Sequence, residues 1–405
     1  MRTILHIDMN SYFASVEQQA RPSLRGRAIG VTGPSKRSII VAASVEAKKF
    51  GVKTGTQIWE AKKMCPRIVL ISADCNRYEA VTRLFLEIFI SKTPLVEIFS
   101  IDEAFLELSC QQSAVSFQQA EKVALEIKNE MRAKIGRHVR CSIGIAQNKF
   151  MAKLASEAHK PDGLTVVPFG REIQFLDQFE LTDACGIGRR INASLVRLGI
   201  NSFKDLRQKS QIDLTLIFNS YGLRLYNMAR GIDNDPIRPY FDSPAPKSIS
   251  RSKTLPRDTF DKDLVNKMIL SFCQNIGSEL RSKNLLGGSI AVWLRYGDFT
   301  SFGQSKTIKS PTYLTREIFF HARSVLKKLP YQKPVRKIGV YIGALRPANN
   351  QLYLLDEWKK PFILDQIADS INKKSGEQVI TRSSLANLNF SGRAPSYGFK
   401  KNLFD

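Results

Sequence analysis

Three carboxylates stand where chemistry could be done: Asp8, which ends the mostly apolar run Thr3-Ile-Leu-His-Ile7, and the adjacent pair Asp102-Glu103 inside the segment Val96–Leu108. Their surroundings are apolar, so an ionised acid there needs a partner or a cation. No Lys or Arg flanks them in sequence, which favours a metal ion. Hard oxygen donors suit magnesium, which is usually bound by a few carboxylates together with substrate phosphates. Two such ions about 4 Å apart would activate a hydroxyl nucleophile and stabilise a leaving pyrophosphate. The plainer reading makes Asp8 a turn or helix-cap residue and Asp102-Glu103 a solvated hairpin tip. Spacing alone leaves both open.

The elements that must position these acids come from periodicity. Thr3–Asp8 reads as a buried strand and Ser11–Gln19 as a helix stopped by Arg21-Pro22. Ala28–Val31, Ser38–Ala43 and Val69–Ile71 are strand-like, with short helices at Val45–Phe50 and Ile58–Met64 and a longer one at Tyr78–Ser91. In Val96–Leu108 apolar residues alternate on either side of the acidic pair, as in a hairpin. Neighbouring strand residues face opposite sides, so Asp102 and Glu103 can converge only near a turn or bulge. Helices at Phe117–Ile135 and Lys149–Ala158 flank a strand at Arg140–Ala146. The order predicts an antiparallel sheet with helices on one face. Leu181–Asp233 turns wholly helical. A Pro- and Ser-rich linker at Asp242–Ser248 leads to strands (Ser248–Lys253, Gly288–Tyr296, Val335–Leu345) and two amphipathic helices (Lys262–Lys283, Tyr313–Lys328). The expectation is an α+β chain of several domains whose last ~55 residues are only partly ordered.

Composition points to polyanionic partners. The 405 residues carry a formal charge of +24 and 43% apolar residues, enough to fill sizeable cores. From Tyr240 to Arg346 there are 19 Lys and Arg against 7 Asp and Glu, so half the excess lies in about a quarter of the chain. A phosphate-gripping module would look like this. The six cysteines are scattered without a Cys-x-x-Cys pair, which argues against a disulfide framework or a zinc site. No leader-like start and no apolar run of ~20 residues is present, so a cytoplasmic protein without membrane contact is expected.

Ala184-Cys-Gly-Ile-Gly-Arg-Arg-Ile-Asn192, followed by Leu195–Leu198 and Gly199-Ile200, reads as a helix-hairpin-helix. Gly186 and Gly188 would let backbone amides approach a phosphate at a helix start, with Arg189 and Arg190 adding charge. Such contacts position a duplex without reading its sequence. The strand Lys247-Ser248-Ile-Ser-Arg251-Ser-Lys253 alternates cations with hydroxyls, as a strand laid along a phosphate backbone would. The structural alternative is an edge strand protected by charge.

Four segments in order, Ile7-Asp-Met-Asn-Ser-Tyr-Phe-Ala-Ser-Val-Glu17, Glu46-Ala-Lys-Lys-Phe-Gly-Val-Lys53, Ser100-Ile-Asp-Glu-Ala-Phe105 and His159-Lys-Pro-Asp-Gly163, resemble the Y-family DNA polymerases of the bacterial DNA polymerase IV type. The likeness runs nearly the whole chain to about Arg346, and Ser-Ile-Asp-Glu-Ala is its most specific motif. It implies a right hand. The palm would be residues 1–10 and 73–166, the fingers 11–72 and the thumb, with its helix-hairpin-helix, 168–235. A linker at 236–246, a DNA-binding little finger at 247–346 and a tail at 347–405 would complete it. It implies low-fidelity, lesion-bypassing synthesis without proofreading, two Mg²⁺ ions that Mn²⁺ can replace, and primer-template DNA and a dNTP as partners. A monomer, found at the nucleoid when engaged on DNA, is expected.

By the same resemblance Asp8, Asp102, Glu103 and the Met9 carbonyl hold metal. Phe13 is the steric gate under the sugar with Tyr12 beside it, and Lys160 and Lys48 hold the triphosphate. Relatives often place Tyr and Arg where this chain has Val45 and Lys48, so Ser44 is considered as a substitute hydroxyl. Small residues in Ile40-Val-Ala-Ala-Ser44 would roof the nascent base pair. Gln351-Leu352-Tyr-Leu354-Leu355 resembles the peptide with which bacterial polymerases dock on the sliding clamp. The terminal Asn402-Leu-Phe-Asp405 is a weaker echo of it. Rival readings are a nucleotidyl cyclase, an inactive polymerase-derived DNA scaffold, and a specialised deoxycytidyl transferase.

Overall fold

The computed structural model describes residues 2–35, 37–108, 116–242, 245–348, 356–375 and 379–386, and the chain divides into two units near residue 244. In the first, strand β1 (Ile4–Met9) leads into helix α1 (Tyr12–Ala20). A small layer follows: β2 (Ile29–Thr32), β3 (Ile40–Ala43), α2 (Val45–Lys48), α3 (Ile58–Met64) and β4 (Val69–Ser72). Then come α4 (Cys75–Lys92), β5 (Val96–Ile98), β6 (Glu103–Glu107), α5 (Phe117–Lys134), β7 (Cys141–Ala146), α6 (Lys149–Ala158) and β8 (Leu164–Val166). Helices α7 (Glu172–Leu176), α8 (Arg189–Arg197), α9 (Phe203–Arg207), α10 (Gln211–Phe218) and α11 (Ser220–Met228) complete it.

The main sheet has the order β5-β6-β1-β7-β8. It is antiparallel except where the short β8 runs parallel to β7. The expectation of helices on one face is corrected. Leu5, Ile7 and Met9 pack into a core with Phe85, Phe89, Ile127 and Met131 of α4 and α5, while Ile4 packs on the other face with Met151 and Leu154 of α6. Both faces are covered, and β1 and β7 are buried at nearly every position on either side. α6 lies especially close: a Cβ at Gly144 on β7 would sit 2.1 Å from the Ala152 carbonyl. The smaller sheet, β3-β2-β4, pairs β2 and β4 in parallel across the α2–α3 crossover.

The second unit starts with β9 (Ser248–Thr259) and α12 (Lys262–Ser282). It continues through β10 (Leu285–Tyr296), β11 (Ser301–Thr312), α13 (Thr315–Leu326), β12 (Val335–Pro347) and α14 (Asp356–Ser375). Its antiparallel sheet has the order β11-β10-β12-β9, and α12 and α13 cover one face. Along α12, Val265, Met268, Ile269, Phe272, Ile276 and Leu280 recur at helical spacing and bury against Ile290, Val292, Ile338 and Val340. Each such side chain contributes roughly 1.5–3 kcal/mol by burial. Within the tail, α14 docks on α12. Arg281, only 6% exposed, takes Asp369 in a two-pronged pair (2.6 and 3.1 Å) and reaches Asp365 at 3.1 Å. Gln351–Leu355 and Asn402–Asp405 lie outside the described residues.

Candidate active site

Register sets the site. β1 pairs with β6 so that Asp8 faces Glu103 directly, and the Met9 amide donates to the Asp102 carbonyl at 2.9 Å. Asp102 sits in the turn that enters β6, where Phe99 and Ser100 both donate to the Glu103 carbonyl. The two adjacent acids therefore part. Asp8 and Asp102 line an open cavity of about 490 Å³, while Glu103 lies on the strand face beside His6 and outside that lining.

Each acid has its own partner. Asp8 accepts from Lys160 at 2.9 Å, Asp102 takes the Ser100 hydroxyl, and Glu103 takes both His6 Nε2 (3.1 Å) and Lys153. Burial pushes the Asp8 carboxyl above its ordinary range against the pull of Lys160, and does the same to Asp102 against the Ser100 hydrogen bond. Burial also acts upward on Glu103, but His6 and Lys153 outweigh it and bring it to about 2. Cations absent from the local sequence thus arrive from α6 and the loop after it. Lys149 meets Glu97, Lys153 meets Glu103, Ser156 meets His6 and Lys160 meets Asp8.

The donor chemistry fits a divalent ion, being hard carboxylates at the mouth of a pocket beside the backbone of Met9. Among the described residues, no three acids or histidines stand grouped to hold an ion as they lie. With each carboxylate drawn to its own cation or hydroxyl, convergence requires side-chain rotation about a fixed backbone.

The rest of the cavity is built by α1 and the small sheet. Ser11, the residue before α1, has left-handed backbone (φ 48°) and a buried hydroxyl with no partner among the described residues. Such strain clusters at functional sites. Phe13 lines the cavity and stacks on Tyr78 with centroids 4.3 Å apart. Tyr12 also lines it, but its hydroxyl is held 2.8 Å from the Tyr78 carbonyl. Lys48 and Lys160 enter from opposite segments, and burial together with Lys160 lowers the Lys48 pKa. Val45, 39% exposed, presents only methyl groups. Ser44 is turned away: its hydroxyl caps α2 through the Ala47 amide, accepts from Ile29 and donates to Arg27 O. It is not part of the cavity wall, which corrects its suggested role as a substitute hydroxyl. Lys49, Thr54, Asn10 and Ser11, missed in sequence, do line the cavity. Only the proximity of Asn10 and Ser11 to Asp8 hinted at them.

The loop carrying Lys160 is anchored behind. Lys128 donates to the carbonyls of Cys141, Asp162 and Gly163 at 2.8–3.1 Å, and Asn10 accepts from the Asp162 amide at 2.6 Å.

Two surfaces were expected to grip DNA. In the first, a single 3-10 turn at Leu181–Asp183 stands in for the first helix of the hairpin, followed by the turn to Gly188 and α8. Gly186 has φ +115°, and a Cβ there would strike the Tyr221 hydroxyl, which donates to the Gly186 carbonyl. Gly188 precedes α8, and Arg189 and Arg190 are exposed. In the second, the cations of β9 point the other way from the expectation. Arg251 and Lys253 pair in register with the core residues Val340 and Ile338, so they share the helix-covered face. Arg251 is held by Glu279 of α12 at 2.6 Å, and burial lowers the Lys253 pKa. Ser248, Ser250 and Ser252 face the open side, in register with Gly343, Tyr341 and Gly339. The same register carries that face on through Ala291, Trp293 and Arg295. Lys247, just before β9, is exposed.

Comparison with known proteins decides among the readings. Residues 7–157 match the impB/mucB/samB family, and residues 246–354 match the impB/mucB/samB family C-terminal domain. The chain is 35% identical to the DNA polymerase IV of Desulfatibacillum aliphaticivorans over 84% of its own length and 85% of the relative's. It belongs to the Y-family DNA polymerases. The DNA polymerase IV of Oceanobacillus iheyensis is 32% identical over 100% of this chain and 97% of its own. A solved Y-family DNA polymerase chimera superposes with TM-score 0.74 at 26% identity, covering 85% of this chain and 99% of its own. This Y-family member is thus a translesion DNA polymerase of the DNA polymerase IV type, in a family that depends on divalent metal. Among the described residues of the polymerase, no helix is long and apolar enough to cross a membrane.

Proposed function

We propose that the cavity joins a deoxynucleoside triphosphate to a primer 3′-hydroxyl, with Asp8, Asp102, Glu103 and the Met9 carbonyl as the oxygen donors for two magnesium ions. When bound, such ions activate the hydroxyl and neutralise charge on the leaving pyrophosphate, and manganese can replace them. Lys160 and Lys48 hold the triphosphate as point charges on flexible stems. Phe13, fixed by its stack on Tyr78, lies under the sugar and excludes a 2′-hydroxyl. Val41, Ala42 and Ala43 form a small-residue roof that tolerates a distorted template base. Positioning and charge carry the rate, with no side chain needed as an obligatory base. The single observation behind this reading is that one cavity gathers Asp8, Asp102, Phe13, Lys48 and Lys160.

The amides at Gly186 and Gly188 with Arg189 serve as one phosphate grip. The open sheet face of the second unit, with Trp293, Arg295, Lys337 and Tyr341 beside its serines, serves as the other. Gln351–Leu355 is retained as a clamp-docking peptide on its sequence alone.

The test is extension of a labelled primer on a DNA template with magnesium and four deoxynucleotides. Wild type extends in a template- and magnesium-dependent way, and Asp102→Ala does not. Extension by Asp102→Ala at the wild-type rate would remove this metal site.

A further inference from the structure

His6 lies on β1 two residues before Asp8, on the same strand face and fully buried. Both ring nitrogens have partners: Nε2 is 3.1 Å from Glu103 Oε2, and Nδ1 is 2.8 Å from Ser156 Oγ on α6. The ring packs on Phe105 with centroids 4.5 Å apart, which fixes its plane. Lys153, a turn earlier on α6, binds the same Glu103 oxygen. Both partners therefore use Oε2, and among the described residues Oε1 accepts no hydrogen bond.

We propose that Ser156 and His6 form a positioning relay that holds Glu103 by Oε2 and leaves Oε1 as the oxygen offered to metal. This rests on the reading of Glu103 as a metal ligand. A carboxylate only accepts hydrogen bonds, so His6 Nε2 carries the proton between them. Nδ1 of that tautomer is an acceptor, and the Ser156 hydroxyl is the donor in reach. The other contact of Ser156, the Lys153 carbonyl at 2.7 Å, lies inside α6, where the helix ladder supplies an amide. Giving the hydroxyl proton to His6 therefore strands no acceptor. The close seating of α6 over Gly144 brings Ser156 within range of a strand residue 150 positions earlier in the chain. Partners that orient a metal ligand from behind typically change metal affinity or rate by about 10–100-fold when removed.

The test compares Ser156→Ala, Ser156→Thr, His6→Gln and Glu103→Gln in the full chain bound to primer-template. Single-turnover rate, dNTP affinity, Mn²⁺ binding followed by electron paramagnetic resonance, and melting temperature are read for each. Ser156→Ala is expected to lower the rate and weaken Mn²⁺ binding by about tenfold or more, with dNTP affinity within about twofold. Ser156→Thr, which keeps the hydroxyl, restores most of both, and His6→Gln behaves like Ser156→Ala. ¹⁵N signals of His6 in the unmutated protein show Nε2 protonated and Nδ1 bare. A lower melting temperature with unchanged rate and Mn²⁺ binding in Ser156→Ala overturns the relay, as does a proton on Nδ1. If Glu103→Gln also keeps the wild-type rate, the metal-ligand reading of Glu103 fails with it; if only Glu103→Gln loses rate, the relay alone fails.

Discussion

The two larger sheets of this polymerase are built to opposite ends. The β5-β6-β1-β7-β8 sheet is packed by helices on both faces and opens at one end, where Asp8 and Asp102 reach a pocket. The β11-β10-β12-β9 sheet is packed on one face only, and its other face carries serines with Trp293, Arg295, Lys337 and Tyr341. Burial on both sides raises the proton affinity of Asp8 and Asp102 and makes their charge worth compensating with metal. Exposure on one side leaves a polar and aromatic surface suited to sequence-independent contact with a backbone. In the proposed function the first sheet carries the chemistry, and the second shares the DNA grip with the amides at Gly186 and Gly188.

The largest effect that could break this contrast concerns salt. Replacing Arg295 and Lys337 together by Ala should weaken primer-template binding by about tenfold and flatten its dependence on log salt by about two contacts. Arg251→Ala should leave that slope unchanged, because its guanidinium is held by Glu279 on the covered face. Equal slopes for the two variants would mean that the open face is not the grip.

Next comes the pocket wall. Val45→Tyr with Lys48→Arg supplies a hydroxyl and a bidentate fork where the wall now offers methyl groups and one ammonium. The dNTP dissociation constant should fall by about three- to tenfold, with DNA affinity unchanged. An unchanged constant would show that the triphosphate is held elsewhere.

The smallest effect is on pH. Asp8 and Asp102 bind protons more tightly than ordinary carboxyls, so protons compete with magnesium at a higher pH than usual. At limiting magnesium, extension should decline as pH falls towards the acid range, and saturating magnesium should restore it. Glu103, at about 2 in the folded chain against an ordinary value of 4.5, stays ionised throughout. Its stabilising contribution is complete above that ordinary value and is lost only as pH falls towards 2. Magnesium-independent pH profiles would contradict the assignment of Asp8 and Asp102.

Much of this was legible in sequence because local signals agreed with the tertiary structure. Strand β1, the β5–β6 hairpin and α6 follow from apolar spacing and turn chemistry, and the ordered motifs mark the acids, Phe13 and Lys160. What sequence withheld was pairing at long range. The strand β11 has only Ile308 and Thr312 buried, so an edge strand of hydroxyls and lysines gave no alternation to read. Alternation in β9 revealed which residues share a face but not which face the helices cover, and so Arg251 was misdirected. The acids seemed to lack cations because Lys153 and Lys160 come from 50 or more residues away. The docking of α14 was hidden in sequence because its hold on the domain is Arg281, 84 residues before Asp365.

The most direct test measures primer-template affinity and single-turnover extension rate side by side for Asp8→Ala and for the Arg295→Ala/Lys337→Ala pair. Asp8→Ala should lose about a thousandfold in rate, equivalent to ~4 kcal/mol, with affinity within twofold. The Arg295→Ala/Lys337→Ala pair should bind more weakly, with a normal rate once DNA saturates. An Asp8→Ala enzyme that extends within tenfold of wild type would contradict these assignments, as would an open-face pair that binds normally.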